Sequence, residues 1–165
     1  MSAHESEIER KFLVTDPPPD LDRSRGDPVK QGYIAIADDG LEVRIRQRGD
    51  RCYLTIKQGE GRVRLEEEFE IDAERFARLW PLTDGRRIEK TRYVMPDSES
   101  GELEIELDVY AGALEDLVTA EVEFPSEEAA EQFEPPSWFG PEVTEDSRYK
   151  NRELATHGAP SRAPR

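Results

Sequence analysis

Apolar and charged residues alternate with a period of two along most of this chain. The clearest example is 102–109, where every even position is acidic and every odd position is aliphatic. Successive side chains of a β-strand point to opposite sides, so each alternating run predicts a strand with one charged and one apolar face. Short turns that often contain glycine or proline separate the runs. The eight predicted strands cover 7–13, 30–36, 41–46, 52–57, 63–71, 88–94, 102–109 and 119–124.

Three further stretches predict helices. Asp72 and Ser126 are expected to cap the first two through their side-chain oxygens, and Asp146 or Ser147 is expected to begin the third. The helices run over about 72–80, 126–133 and 146–155. Eight strands with a few flanking helices, one of them C-terminal, predict a mainly β (α+β) fold. We expect a single domain over 1–157 and a disordered tail over 158–165.

The charged faces of the strands admit two interpretations. In a one-sided sheet they simply meet water, whereas in a closed, eight-stranded antiparallel β-barrel they line a tunnel. The charged positions include almost no Ser, Thr, Asn or Gln, and like charges recur two residues apart, as in Glu104 and Glu106 or Lys90 and Arg92. Like charges about 4 Å apart repel by roughly 4 kcal/mol at a surface-like effective dielectric constant. Because bound counter-ions would relieve this repulsion, the pairs favour the tunnel.

Composition limits the possible partners. The formal net charge of -15 argues against a general affinity for nucleic acid or for an anionic membrane. Cys52 is the single cysteine, which excludes an internal disulfide. It lies on the same face of its predicted strand as Leu54 and Ile56, so we expect it to face the core. No apolar run approaches the roughly 20 residues that span a bilayer, and 1–6 contain no apolar signal segment. We therefore expect a cytoplasmic protein.

The mixture of acids and bases on the charged faces suits one kind of ligand. Carboxylate oxygens are the ligands that Mg²⁺ and Mn²⁺ prefer. Arginine guanidinium groups bind phosphate oxygens in a bidentate manner, and lysines supply point charges. A surface that offers both kinds of group predicts binding of a phosphate chain chelated to a divalent metal.

The stretch Glu7-Ile8-Glu9-Arg10-Lys11 resembles the ExExK signature of the CYTH domain, or triphosphate tunnel metalloenzyme, family. Eight later motifs resemble the family's pattern in the same order, so that the resemblance extends from about Ser6 to Leu154. They are Gln31-Gly32-Tyr33, Val43-Arg44-Ile45-Arg46, Leu54-Thr55-Ile56-Lys57, Arg64 with Glu66 and Glu68, Lys90-Thr91-Arg92-Tyr93, Glu106-Leu107-Asp108-Val109-Tyr110, Ala120-Glu121-Val122-Glu123, and Glu142-Val143-Thr144 ahead of Tyr149-Lys150-Asn151.

The resemblance implies a tunnel that binds triphosphate and a divalent metal at its centre. It implies that cations on several strands contact the phosphates. It also implies that carboxylates on other strands bind Mg²⁺ or Mn²⁺, directly or through water. The implied substrate-binding residues are Lys11, Lys30, Arg44, Arg46, Lys57, Arg64, Lys90 and Arg92. The implied metal ligands are Glu7, Glu9, Glu66, Glu68, Glu106, Asp108, Glu121 and Glu123.

Members of the family hydrolyse inorganic, nucleoside or thiamine triphosphate, and short bacterial members most resemble inorganic triphosphatases. The resemblance therefore implies a metal-dependent triphosphatase in which Lys11 or Tyr33 assists the attacking water. Both side chains have ordinary pKa values near 10, so either would need a strongly lowered pKa to act as a base. Two alternatives stay open, an adenylate cyclase on the same scaffold and a non-catalytic module that binds triphosphate. Monomer and homodimer are equally compatible with the sequence.

Overall fold

A computed structural model describes residues 8–59, 65–97 and 101–160. Eight strands form an antiparallel sheet accompanied by three short α-helices. The strands are β1 (Ile8–Leu13), β2 (Asp27–Ile36), β3 (Glu42–Arg48), β4 (Arg51–Gln58), β5 (Leu65–Ile71), β6 (Arg87–Pro96), β7 (Glu104–Tyr110) and β8 (Val118–Phe124). The helices are α1 (Ala73–Leu79), α2 (Glu127–Gln132) and α3 (Asn151–His157).

All eight predicted strands are confirmed, with bounds that differ by a few residues. The strand order is β1-β8-β7-β6-β2-β3-β4-β5, which places β1 and β5 at the two ends. Within the described ranges the sheet is not closed, so the closed barrel stays a prediction. None of the helices in those ranges has the length and apolar character needed to cross a bilayer.

Two of the three predicted helix starts are confirmed by their caps. An Asp72 oxygen accepts a hydrogen bond from the Arg75 amide at 2.7 Å, and Ser126 Oγ accepts one from the Ala129 amide at 3.1 Å. The predicted start of the third helix is wrong. Residues Ser147–Tyr149 form a separate 3-10 turn, and Lys150 is extended before α3 begins. The break separates the predicted capping residues from the helix that they were expected to begin.

The chain divides into two compact units. The first comprises Met1–Asp27 and Thr91–Ser147, and the second comprises Pro28–Lys90 and Arg148–Arg165. The apolar faces of β7 and β8 carry the core of the first unit, in which Leu107, Ala120 and Val122 have no exposed surface. Phe133 and Phe139 pack against this core.

The outer edge of β1 is covered by a later segment of the first unit. The Gly140 amide donates to the Leu13 carbonyl at 2.6 Å, and the Leu13 amide donates to Pro141 at 2.9 Å. Further along, the Val143 amide donates to the Lys11 carbonyl at 2.8 Å. Backbone groups that an edge strand usually leaves open are thus bonded over this part of β1. The covering segment holds Lys11 in place from the side opposite to β8.

In the second unit, α1 packs on the apolar face of β3 and β4 and against the end of β5 at Ile71. Ile45, Cys52, Ile71 and Phe76 form the buried cluster, which confirms the predicted core position of Cys52. β2 packs closely against the buried Thr83 at Gly32. A Cβ added at Gly32 would lie only 2.5 Å from the Cβ of Thr83. The charged faces of these strands lie opposite to this core.

Candidate functional site

Charged side chains of β1, β8 and β7 gather on one face of the first unit. The register pairs Lys11 with Glu121, and Glu121 in turn with Glu106 on the next strand. Glu9 stands opposite Glu123. Because opposite residues of an antiparallel pair have Cβ atoms about 4.5–5.5 Å apart, the register makes neighbours of two pairs of carboxylates. This face therefore has the negative charge that a bound cation would offset.

Arg92 on β6 contacts two acidic side chains of β7. Its Nε and Nη2 atoms donate to the two carboxylate oxygens of Asp108 at 2.8 and 2.9 Å, and its Nη1 lies 2.8 Å from Oε2 of Glu106. Asp108 is only 1% exposed. Burial lowers the pKa of Arg92, but the hydrogen bonds and charge of Asp108 outweigh that effect and raise it above its ordinary value. The guanidinium is thus held by carboxylates on all three of its nitrogens.

The second unit has a charged face of its own. Across β2 and β3, Gln31 stands opposite Arg46 and Tyr33 opposite Arg44, before a bulge shifts the register after Tyr33. Arg44 stands opposite Thr55 on β4. Because cross-strand partners share one face of a sheet, the register brings the two arginines together with these three polar side chains.

Carboxylates from β5 complete this second face. Glu66 stands opposite Lys57, whose Nζ lies 3.6 Å from Oε1 of Glu66. Glu68 accepts a hydrogen bond from Thr55 Oγ1 at 2.8 Å through one oxygen and directs the other toward Arg46 Nη2 at 3.8 Å. The two acid–cation contacts, Lys57 with Glu66 and Arg46 with Glu68, are partly exposed to solvent. The face therefore carries both cations and carboxylates.

One cation on this face has a donor that its protein surroundings do not satisfy. Arg44 Nε is buried and has no hydrogen-bond acceptor among the described residues. A buried donor without an acceptor costs free energy that a ligand oxygen would recover. Arginine donors match phosphate oxygens in geometry and charge. Arg44 thus fits the predicted contact to a phosphate chain.

Tyr33 is placed on the second face but does not have the property required of a base. Its side chain is 1% exposed, and Gln31 Nε2 donates to its phenol oxygen at 3.1 Å. Burial raises the pKa of the phenol above its ordinary value, despite the nearby charge of Arg44. The phenol therefore stays protonated at neutral pH. The shift is opposite to the lowered pKa that a base would need, so the catalytic role of Tyr33 stays a prediction, and the hydrogen bond from Gln31 is the observed contact.

Lys30 lies on the opposite face of β2 from the predicted site residue Tyr33, and Lys90 is buried. Gln31 shares the face of Tyr33. The Lys30 Nζ is 4.4 Å from the centre of the Trp80 ring, on the side of the sheet that α1 packs against. Its expected contact to phosphate has no support from this placement, because a strand directs neighbouring side chains to opposite sides. Lys90 is 6% exposed within the second unit.

Two predicted site residues, Glu7 and Arg64, lie outside the described residues. Sequence reasoning assigned no role to Gln31 or Thr55, which bond to Tyr33 and Glu68. Gln31 could have been predicted from its position two residues before Tyr33, because residues two apart on a strand share one face. Thr55 was recognised only as part of a polar face, because its partner on β5 depends on the register between strands.

A model of the CYTH domain family matches residues 5–153 of this chain. The chain belongs to the CYTH domain family. An inorganic triphosphatase of Nitrosomonas europaea is 52% identical to it over 153 residues, which span 91% of this chain and 97% of that protein. An inorganic triphosphatase of Acetivibrio thermocellus is 40% identical over 152 residues, which span 90% of this chain and 92% of that protein.

The fold of this CYTH protein is also found among solved structures. A crystal structure of an inorganic triphosphatase superposes on it with a TM-score of 0.78 at 45% sequence identity. The superposition covers 96% of this chain and 100% of that chain. The similarity therefore extends over the whole arrangement of strands described above.

CYTH triphosphatases depend on a divalent metal, and the carboxylates of this chain fit such an ion by their chemistry. The neighbouring pairs Glu9 with Glu123 and Glu106 with Glu121 supply the oxygen ligands that hard divalent cations prefer. Among the described residues, no three His, Cys, Asp or Glu side chains are already arranged around a common point. The donor set is suitable, and its side chains would have to converge on an ion.

Proposed function

We propose that this protein hydrolyses inorganic triphosphate to pyrophosphate and orthophosphate in a reaction that depends on a divalent metal. The observation that carries the proposal is the charged face of the second unit, where Arg44, Arg46 and Lys57 stand beside Glu66 and Glu68. The cations suit phosphate oxygens, and the carboxylates suit a metal ion. The full-length similarity to two inorganic triphosphatases supports the same substrate.

The proposed roles follow from the charge of each side chain. Arg44, Arg46 and Lys57 neutralise phosphate oxygens and hold the chain for in-line attack, and Lys11 orients the attacking water. A divalent ion, when bound, supplies positive charge that stabilises the phosphoryl group in transfer. Tyr33 positions the cations that it faces and transfers no proton. The proposed metal ligands are Glu9, Glu66, Glu68, Glu106, Glu121 and Glu123. Glu7 as a further metal ligand and Arg64 as a phosphate ligand are retained as expectations from the family resemblance.

Three finer predictions belong to this proposal. The family resemblance supports closure of the sheet into a tunnel, and the acid-rich donor set supports Mg²⁺ or Mn²⁺ as the metal. A cytoplasmic location stays a prediction. Closure can be tested by placing cysteines on β1 and β5 and measuring whether an oxidant cross-links them within one chain.

A phosphate-release panel tests the substrate. Inorganic triphosphate, pyrophosphate, ATP and thiamine triphosphate are each incubated with the protein in EDTA, in Mg²⁺ or in Mn²⁺. We expect orthophosphate release from inorganic triphosphate with a metal and none in EDTA. Formation of cyclic AMP from ATP without release from triphosphate would instead support a cyclase. Binding of triphosphate without any turnover would support the non-catalytic module.

Glu9→Gln tests the metal assignment in the same assay. The change removes a charge from the pair that Glu9 forms with Glu123, so we expect slower hydrolysis and a requirement for more metal. Glu104→Gln is the matched control, because Glu104 is an exposed acid on β7 that has no proposed role. Hydrolysis by Glu9→Gln at the parental rate and metal concentration would contradict the assignment.

A further inference from the structure

Among the described residues, two groups of ion pairs on the charged faces differ in distance. Arg92 is held by Asp108 and Glu106 at 2.8 to 2.9 Å, and Asp108 is buried. The second group consists of Lys11 with Glu121, Arg46 with Glu68, and Lys57 with Glu66, at 3.4, 3.8 and 3.6 Å. We call these three the loose pairs.

Each loose pair joins a proposed phosphate ligand to a proposed metal ligand. In every case both side chains retain some exposure, from 13% for Lys11 to 35% for Glu68. Partly exposed ion pairs at such distances contribute little free energy and are readily exchanged for other partners. The Arg92 group differs, because separating a buried, doubly bonded carboxylate from its cation is costly.

From this contrast we infer that the carboxylates of the loose pairs hold the phosphate-binding cations in the absence of substrate, and exchange partners when substrate and metal bind. Within each unit, phosphate oxygens take the place of the carboxylates on the cations, and the released carboxylates, Glu66 and Glu68 in the second unit and Glu121 in the first, become available to a metal ion. Asp108 does not take part in the exchange. It is a positioning residue that keeps Arg92 and Glu106 in place. The inference rests on the proposed function and describes how its two ligands are coupled.

The proposed exchange weakens the binding of triphosphate when no metal is present. A carboxylate displaced by a phosphate chain stays close to an anion, and a bound divalent cation would offset the repulsion between them. Substrate alone must therefore compete with the carboxylates for the cations. Since coupling is reciprocal, metal and triphosphate should each strengthen the binding of the other on the protein.

Calorimetric titration of inorganic triphosphate in EDTA separates this exchange from chelation in solution. We expect Glu66→Gln to bind metal-free triphosphate about fivefold more tightly than the parent, the effect expected from removing a partly exposed ion pair. Glu68→Gln should show the same direction, and its amide oxygen can still accept the hydrogen bond from Thr55. Glu70→Gln is the matched control on the same strand and face, because it removes the same charge outside the loose pairs. We expect less than about a twofold change for this control.

The outcomes decide between the inference and its alternatives. If Glu66→Gln, Glu68→Gln and Glu70→Gln all strengthen metal-free binding equally, a general charge effect explains the result and the inference is wrong. If neither of the first two differs from the parent, the inference is also wrong, although the proposed function stands. A parent protein that binds no triphosphate with or without metal would instead overturn the proposed function. Circular dichroism of each variant checks that it is folded.

Discussion

Arg10 and Glu142, which are 132 positions apart in the sequence, form a bidentate ion pair in the first unit. Arg10 Nε donates to Oε2 of Glu142 at 3.1 Å, and Arg10 Nη2 lies 2.6 Å from Oε1. Thr144 Oγ1 donates to the same carboxylate at 2.6 Å and accepts a hydrogen bond from the Lys11 amide at 3.0 Å. The pair thus fastens the covering segment to β1, and β1 carries Glu9 and Lys11 on its other face.

Replacing Glu142 with Gln should lower the free energy of unfolding at pH 7 by about 1 kcal/mol, the upper range for a pair that solvent partly screens. The amide cannot balance the charge of Arg10 or accept both of its hydrogen bonds. Urea unfolding monitored by circular dichroism measures the change. Glu145→Gln is the control, because Glu145 is an exposed acid in the same segment. Equal stability of the two variants would show that the ion pair does not stabilise β1.

The same pair predicts a dependence of stability on pH. Hydrogen bonds from Arg10 hold the pKa of Glu142 below its ordinary value in the folded protein. The stabilisation is therefore complete above the pKa of an unfolded glutamate, about 4.3, and is lost as the pH falls through the lower, folded pKa. Between pH 7 and pH 3 the parent should lose more stability than Glu142→Gln. Unfolding curves that fall in parallel for both proteins would contradict this prediction.

Asp108→Asn should be far more damaging than the loss of an exposed acid. The change leaves the largely buried Arg92 with Glu106 on one nitrogen and a neutral amide on the other two, and removing one member of a buried ion pair typically costs about 3–5 kcal/mol. Thermal unfolding of Asp108→Asn and of the control Glu104→Gln, on the same strand, measures the difference. A double variant with Arg92→Leu should recover part of the loss, since the buried charge that Asp108 balanced is then absent. If Asp108→Asn is as stable as the control, the pair has no structural role.

Tyr33→Phe should leave triphosphate hydrolysis within about tenfold of the parent, with an unchanged pH profile on the alkaline side. The raised pKa of Tyr33 opposes loss of its proton near neutrality, so the variant loses the contact of the phenol with Arg44 and the hydrogen bond from Gln31. That bond should be worth about 1 kcal/mol of stability. Initial rates between pH 6 and pH 10 provide the test. A fall in rate of about a thousandfold would restore Tyr33 as a catalytic residue.

Gly32→Ala should destabilise the second unit although the added group is a single methyl. The new Cβ would lie 2.5 Å from Thr83 Cβ, and Thr83 is fully buried, so β2 or the turn after α1 must shift. Overpacking of this kind costs about 1–3 kcal/mol. Ala35→Ser, an exposed change on the same strand, should stay within about 0.5 kcal/mol of the parent. Thermal melting curves that coincide for the two variants would contradict the prediction.

Much of the fold follows from local regularities that the sequence contains in full. Alternation along 102–109 requires only that neighbouring side chains point in opposite directions, which every strand obeys. The caps at Asp72 and Ser126 likewise depend on hydrogen bonds to amides three residues away. The strands, two of the helix starts and the existence of charged faces could therefore be predicted without knowledge of tertiary contacts.

The neighbours of each charged side chain depend on register, which no local pattern contains. Tertiary structure alone placed Glu121 between Lys11 and Glu106, and joined Glu68 to Thr55. It also placed Lys30 over Trp80 on the core side. The sequence by itself determined which residues could share a face. Pairing between distant strands decided which of them meet, because a shift of one residue would reverse every side chain of a strand.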